Sequence, residues 1–183
     1  MHLLIIPDGN RRHSKGGGVS NELKYDSMMT NVASLIKGVG ELNIEEVSFW
    51  MFSSDNLKRP PEDVGPFIRS LRKFSDWVQG KQGITTKVIG GCEPIEEILE
   101  NMNKDDGGTR VNFLVNTKGR IELETPIDAV IRTGGELRLS GLDINGILDA
   151  ELYFSDKMFP EFKKEDLKEA VLDIKQRQQR HGR

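Results

Sequence analysis

The apolar positions of this chain change period from one segment to the next. Leu3-Leu4-Ile5-Ile6-Pro7 is a continuous apolar run, as expected of a strand covered on both faces. Met28, Val32, Leu35, Ile36 and Val39 keep helical spacing and predict an amphipathic helix over 21–42. Val47 to Phe52 reads as a second strand. Pro60-Pro61-Glu62-Asp63 opens a helix, with proline early and acids at the positive end of the dipole. Val64, Phe67, Leu71, Phe74 and Val78 then mark one face of it. Further strands are predicted at Thr86 to Ile89, Val111 to Val115, 127–132 and 151–154, with a short helix near 94–103 and a turn at Asp105-Asp106-Gly107-Gly108. Leu167, Ala170, Val171 and Ile174 define a last helix that runs into a basic tail. The alternation predicts an α/β fold, a mainly parallel central sheet of about six strands with helices on both faces. No repeat, low-complexity stretch or linker interrupts it, so residues 1–183 read as a single domain.

Sheets of this kind gather ligands beyond the carboxyl ends of their strands. Asp8-Gly9-Asn10-Arg11-Arg12 follows the first strand and reads as a functional loop. Its glycine lets backbone approach a ligand, its arginines offer planar forks for phosphate oxygens, and its aspartate suits Mg²⁺. Phe52-Ser53-Ser54-Asp55-Asn56 follows the second strand and leads through Lys58-Arg59 into a helix. Arg132-Thr133-Gly134-Gly135-Glu136-Leu137-Arg138-Leu139-Ser140 follows the fifth, with a Gly-Gly pair whose backbone N–H groups suit an anion nest. Together they point to a diphosphate and a metal ion.

The bulk properties narrow the reading. A chain of 183 residues supports one domain with a real core. A net charge of −3 with 30% charged residues argues against general nucleic-acid binding. No apolar run approaches the roughly 20 residues of a transmembrane segment. The first strand starts almost at once, which leaves no room for a signal peptide, and a cytoplasmic protein is expected. Cys92 is the only cysteine, so neither an internal disulfide nor a cysteine zinc site is expected; it reads as a small buried residue. The glycine signatures of common nucleotide sites are absent. His2 and His181 read as unimportant, His13 as a partly exposed loop residue, and Lys175, Arg177, Arg180 and Arg183 as a solvated tail. Asp8, at a strand end, is expected to be removable at little cost in packing.

Four of these segments, in this order and spacing, resemble the cis-prenyltransferase family, of which undecaprenyl diphosphate synthase is the familiar bacterial member. They are Asp8-Gly9-Asn10-x-Arg12, Phe52-Ser53-Ser54-x-Asn56-x-x-Arg59-Pro60, Arg132-Thr133-Gly134-Gly135-Glu136-x-Arg138-x-Ser140 and Ala150-Glu151-Leu152-Tyr153-Phe154. The resemblance implies a homodimeric α/β fold and condensation of isopentenyl diphosphate with an allylic diphosphate, using Mg²⁺. By position, Asp8 would hold Mg²⁺ and help the allylic diphosphate depart, with Gly9, Asn10, Arg11 and Arg12 cradling it. Ser53, Asn56 and Arg59 would line the reacting centre. Arg132, Arg138 and Ser140 would bind isopentenyl diphosphate, and Glu151 would help hold Mg²⁺ there. Asp105-Asp106 is not a metal cluster of the trans-type synthases, because Gly107-Gly108 makes it a turn.

The chain also departs from the family pattern. His13 and Leu57 stand where the family has Trp, Asn21 where it has Arg, and Tyr25 where it has His. Tyr25 is divided between helix packing and substrate contact. Asn116 to Pro126 spans 11 residues, too few for the two helices most members carry there. Met51 replaces a residue that is often small in long-chain members. These changes suggest short products. They leave open an irregular, lavandulyl-type coupling of two allylic diphosphates, or a non-catalytic prenyltransferase subunit.

Overall fold

Six parallel strands carry the architecture. The computed structural model describes residues 1–16, 18, 20–52, 60–91, 93–117, 121–140, 142 and 147–177. In chain order the elements are β1 (His2–Ile6), α1 (Asn10–Gly16), α2 (Asn21–Glu41), β2 (Glu46–Phe52), α3 (Pro61–Gly80), β3 (Ile84–Gly90), α4 (Glu96–Glu100), β4 (Thr109–Val115), β5 (Ala129–Arg132), β6 (Glu151–Phe154) and α5 (Lys164–Gln176). Short 3₁₀ turns at Glu93–Ile95 and Phe159–Glu161 precede α4 and α5. The strands lie in the order β3-β4-β2-β1-β5-β6, and every neighbouring pair is parallel. The predicted strands and long helices are present, shifted by one or two residues at their ends. Gly107 and Gly108 adopt φ +67° and +73°, which makes the predicted turn.

The two faces of the sheet are covered differently. Leu3, Ile5, Val47, Phe49, Val111, Phe113 and Ile131 point to one face. There they pack with the apolar stripes of α2 (Met28, Val32, Leu35), α3 (Phe67, Leu71, Phe74) and α5 (Leu167, Ala170, Val171). Leu4, Ile6, Leu114 and Val130 point to the other, under Ile121, Leu123, Ile127 and Leu142. Among the described residues that second layer is irregular chain, where strand–helix alternation predicts helices on both faces. The 11 residues from Asn116 to Pro126 give the physical reason: a helix out and a helix back do not fit.

A second difference lies after β1. The segment read as a loop turns into α1 from Asn10. Seven polar and small residues carry no apolar period, so this helix leaves no trace in the hydrophobic pattern.

The amino ends of the strands hold a buried polar network on the second face. His2 is 3% exposed, and its Nε2 lies 2.8 Å from Ser48 Oγ. Its Nδ1 lies 2.9 Å from Thr125 Oγ1. Glu46 accepts from Thr125 Oγ1 at 2.6 Å, Asn112 Nδ2 at 2.7 Å and Arg110 Nε at 3.0 Å. His2 is therefore a structural residue, contrary to its sequence reading. Burial holds the imidazole pKa below 6.5, against the opposing charges of Glu46 and Asp128. Burial pushes the Glu46 carboxyl up, but hydrogen bonds from Thr125 and Asn112 and the nearby cations outweigh it and leave the group below 4.5. The two groups act in separate windows. His2 must take up a proton on unfolding below about pH 6.5, so it removes stability as pH falls from there towards its lowered folded value. Glu46 adds stability above its ordinary value and loses it only in stronger acid. Thermal melts between pH 7 and 5 are predicted to show a fall in stability that is flatter in His2→Gln. Equal slopes for the two proteins would contradict this.

Candidate active site

The carboxyl ends of β1 and β5 are neighbours, with Ile6 in register with Arg132. The chain leaves both strands at that edge, which brings Asp8 to Arg132. Arg132 is 3% exposed and donates from Nη2 to Asp8 Oδ2 at 2.7 Å. Its Nη1 donates to Ser140 Oγ at 2.8 Å and to the Arg138 carbonyl. Its Nε is buried with no partner among the described residues. Asp8 is held from behind as well. Gly9 N donates to its Oδ1 at 2.6 Å, while Thr133 Oγ1 and Phe159 N fix its carbonyl at 2.8 and 3.0 Å. Arg12, one helical turn on, reaches towards Asp8 Oδ1 at 3.8 Å and Glu136 Oε1 at 3.6 Å. Glu136 also pairs with Arg138.

The glycines act differently from their sequence reading. Gly134 and Gly135 have φ +89° and +73°. Their N–H groups donate to Lys157 O and Ser155 O at 2.8 and 2.9 Å, so the expected anion nest is not open. They instead let the loop pass close to Asp8. A Cβ on Gly134 would stand 2.9 Å from Arg12 Nη2 and 3.0 Å from the Asp8 backbone. Gly9, at φ +99°, lies against Met158, whose Sδ would be 2.6 Å from an added Cβ. Its lack of a side chain is thus needed for packing.

These residues open into a cavity of about 560 Å³, a size usual for small-ligand sites. Asp8, Gly9, Asn10, Arg11, Arg12, Arg132, Arg138 and Ser140, all singled out by sequence, line it. Tyr25 lines it too, and also packs its ring edge-on to Phe67 at 5.3 Å, as the helix-packing reading expects. Met28, Met51, Phe52, Val64 and Phe67 form the apolar wall. Ser53, Asn56 and Arg59 lie outside the described residues, as does Cys92.

The structure separates Glu151 from this group. Glu151 is in register with Ala129, at the amino end of β6, about 10 Å along the strand from the level of Arg132. Its carboxylate accepts from Arg177 Nη1 at 3.2 Å, so Arg177 is a bonded residue rather than part of a solvated tail. Within one chain the expected pair Asp8 and Glu151 is not a shared metal site. Asp8 alone still fits Mg²⁺, which commonly takes one or two carboxylates and completes its shell with water and substrate phosphates.

Sequence reasoning gave no site role to three polar lining residues. Lys24 is 5% exposed, and its Nζ bonds Asp63 Oδ1 at 2.5 Å and Asn21 Oδ1 at 2.9 Å, 4.2 Å from the centre of the Tyr25 ring. Asn21, the position where the family has arginine, thus holds a lysine and ties α2 to α3 through Glu62 O. The available signal was a cation one turn before Met28 on an apolar stripe. Trp50 and Glu136 are the other two.

The sequence profile of the undecaprenyl diphosphate synthase family matches residues 6–123 and 114–182. An isoprenyl transferase of Thermus thermophilus is 25% identical over 236 aligned positions, covering 100% of this chain and 88% of that protein. A tritrans,polycis-undecaprenyl-diphosphate synthase (geranylgeranyl-diphosphate specific) of Thermoplasma volcanium is 29% identical, with the same shares of the two chains covered. Among solved structures, lavandulyl diphosphate synthase from Lavandula x intermedia, in complex with dimethylallyl diphosphate, superposes with a TM-score of 0.82. It is 22% identical, and the match covers 100% of this chain and 98% of that one, which speaks for the fold.

Gly134→Ala is predicted to cost roughly 1–3 kcal/mol, from a left-handed φ and a Cβ forced between Arg12 and Asp8. Denaturant unfolding measures the loss. A variant as stable as the parent would show that the close approach at Gly134 is not needed.

Proposed function

The chain belongs to the undecaprenyl diphosphate synthase family of cis-prenyltransferases, and from that premise we propose that it joins an allylic diphosphate to isopentenyl diphosphate, releasing a short-chain cis-prenyl diphosphate and inorganic diphosphate. One observation carries the reading. A buried guanidinium and a half-exposed carboxylate meet at adjacent strand ends, at the mouth of a cavity with arginines on one side and apolar side chains on the other. That polarity matches a prenyl diphosphate, anionic at one end and hydrocarbon at the other.

The reaction breaks an allylic C–O bond, and negative charge grows on the departing diphosphate. Donors already in place where charge develops lower that barrier most. Arg132 is such a donor, because its side chain is held by Asp8, Ser140 and the Arg138 carbonyl before substrate arrives. Arg11, Arg12 and Arg138 are more exposed and complete the anion site. Asp8 orients Arg132 and offers its carboxylate at the diphosphate. A magnesium ion held by Asp8 would supply further neutralisation of diphosphate charge. Tyr25, Met28, Met51, Phe52 and Phe67 would hold the hydrocarbon and keep water from the reacting carbon. Ser53, Asn56 and Arg59 remain part of the proposal through the family motif. The proposal includes a single-domain chain working in the cytoplasm as a homodimer.

The packing behind the apolar wall supports short products. Behind its wall, Phe49, Leu71, Phe74 and Phe113 are 0–3% exposed. Phe113 stacks on Phe49 at 6.4 Å and meets Phe74 edge-on at 5.5 Å. Space between α2, α3 and the sheet is filled there, and a close-packed interior does not admit a longer tail.

Asp8→Asn is predicted to keep the fold but lose at least about 100-fold in turnover of the two diphosphates, since charge is removed while an acceptor for Arg132 remains. Asp8→Ala is a poorer test than a strand-end position suggests, because it strands the buried Arg132 guanidinium. Turnover by folded Asp8→Asn near the parent's would refute the assignment. Product analysis by mass spectrometry is predicted to show chains of roughly two to four isoprene units, lengthened by Met51→Ala. A main product of ten or more units would overturn this reading of the packing.

A further inference from the structure

Glu136 lines the cavity beside the arginines, and no step above uses it. Its place is not accidental. Gly134 and Gly135 pin the loop to the chain beyond β6, which fixes the backbone from which Glu136 projects. One carboxylate oxygen lies 3.6 Å from Arg12 Nη1, and the other pairs with Arg138 Nη1. Two of the guanidinium groups available for phosphate thus lean on one internal anion. Another, Arg132, leans on Asp8. Arg12 touches both carboxylates and links the two halves.

Resting on the diphosphate reading of this site, we propose that Glu136 is an internal stand-in for a diphosphate group: it occupies Arg12 and Arg138 in the ligand-free protein, exchanges them with an arriving diphosphate, and takes them back when inorganic diphosphate leaves. Two physical effects give the sign. An incoming anion must replace the carboxylate on the arginines, and it then sits near a like charge. Both weaken ground-state binding of any diphosphate. Weak ground-state binding favours release of the product anion, which a site of several arginines would otherwise hold tightly. Glu136 is 30% exposed and its partners Arg12 and Arg138 are 46% and 62% exposed, so its charge is separable from the fold.

Calorimetric titration with inorganic diphosphate, on the full chain and without prenyl substrates, tests the proposal. Glu136→Gln is predicted to bind inorganic diphosphate about tenfold more tightly than the parent, and to be inhibited by it at correspondingly lower concentration. KM for the diphosphate substrates should fall with it. Glu136→Asp keeps the charge and should remain near the parent. Unchanged or weaker binding in Glu136→Gln would overturn the proposal, as would equal tightening in Glu136→Asp, which would remove charge as the cause. A parent protein that binds no inorganic diphosphate would instead overturn the anion-site reading beneath it.

Discussion

The ion pair between Arg132 and Asp8 is the constraint on which the rest of the site depends. A guanidinium with 3% of its side chain exposed must find partners, since burying an unpaired charge is prohibitive. Parallel pairing of β1 with β5 delivers one partner, by setting Ile6 beside Arg132 and Asp8 just beyond. The loop after β5 delivers the others, Ser140 Oγ and the Arg138 carbonyl. Gly134 permits that loop to pass against Asp8, and Ser140 takes φ +53° to face the guanidinium. Sheet order, glycine placement and loop course thus meet in one requirement, and the exposed arginines are arranged around its outcome.

The sheet divides its labour between its ends and its faces. Helices α2, α3 and α5 bury the apolar stripes on one face, and the cavity opens between α2, α3 and the carboxyl ends of the strands. The other face has a thinner cover and takes a polar network at the amino ends, where Glu46 gathers Thr125, Asn112 and Arg110. A satisfied buried network fixes strand register where a short connection leaves little apolar surface to do so. The cavity and this network stand at opposite ends of the same strands.

Much of this was legible in the sequence, and the limits have physical causes. Strands came through because apolar runs such as Leu3 to Ile6 are long and unbroken. The helices α2 and α3 came through because Met28 to Val39 and Val64 to Val78 keep period. The arginines of the cavity came through because phosphate chemistry restricts the residue types that serve it. Helix α1 did not, having no apolar stripe. Neither His2 nor Glu136 could be placed, because each owes its role to partners far away or to loop geometry, which periodicity does not encode. Glu151 shows the opposite failure. Its motif is intact, yet strand register sets it at the far end of β6 from Asp8.

The central claim is that the arginines around the Asp8–Arg132 pair receive a diphosphate whose hydrocarbon tail lies along Phe52 and Phe67. A crystal structure with a non-reactive allylic diphosphate analogue and Mg²⁺ tests it most directly. Diphosphate oxygens are expected on Arg132 and Arg12, with the metal on Asp8 and the tail against the apolar wall between α2 and α3. An analogue seated with its diphosphate away from Arg132, or with its tail directed out of that cavity, would contradict it.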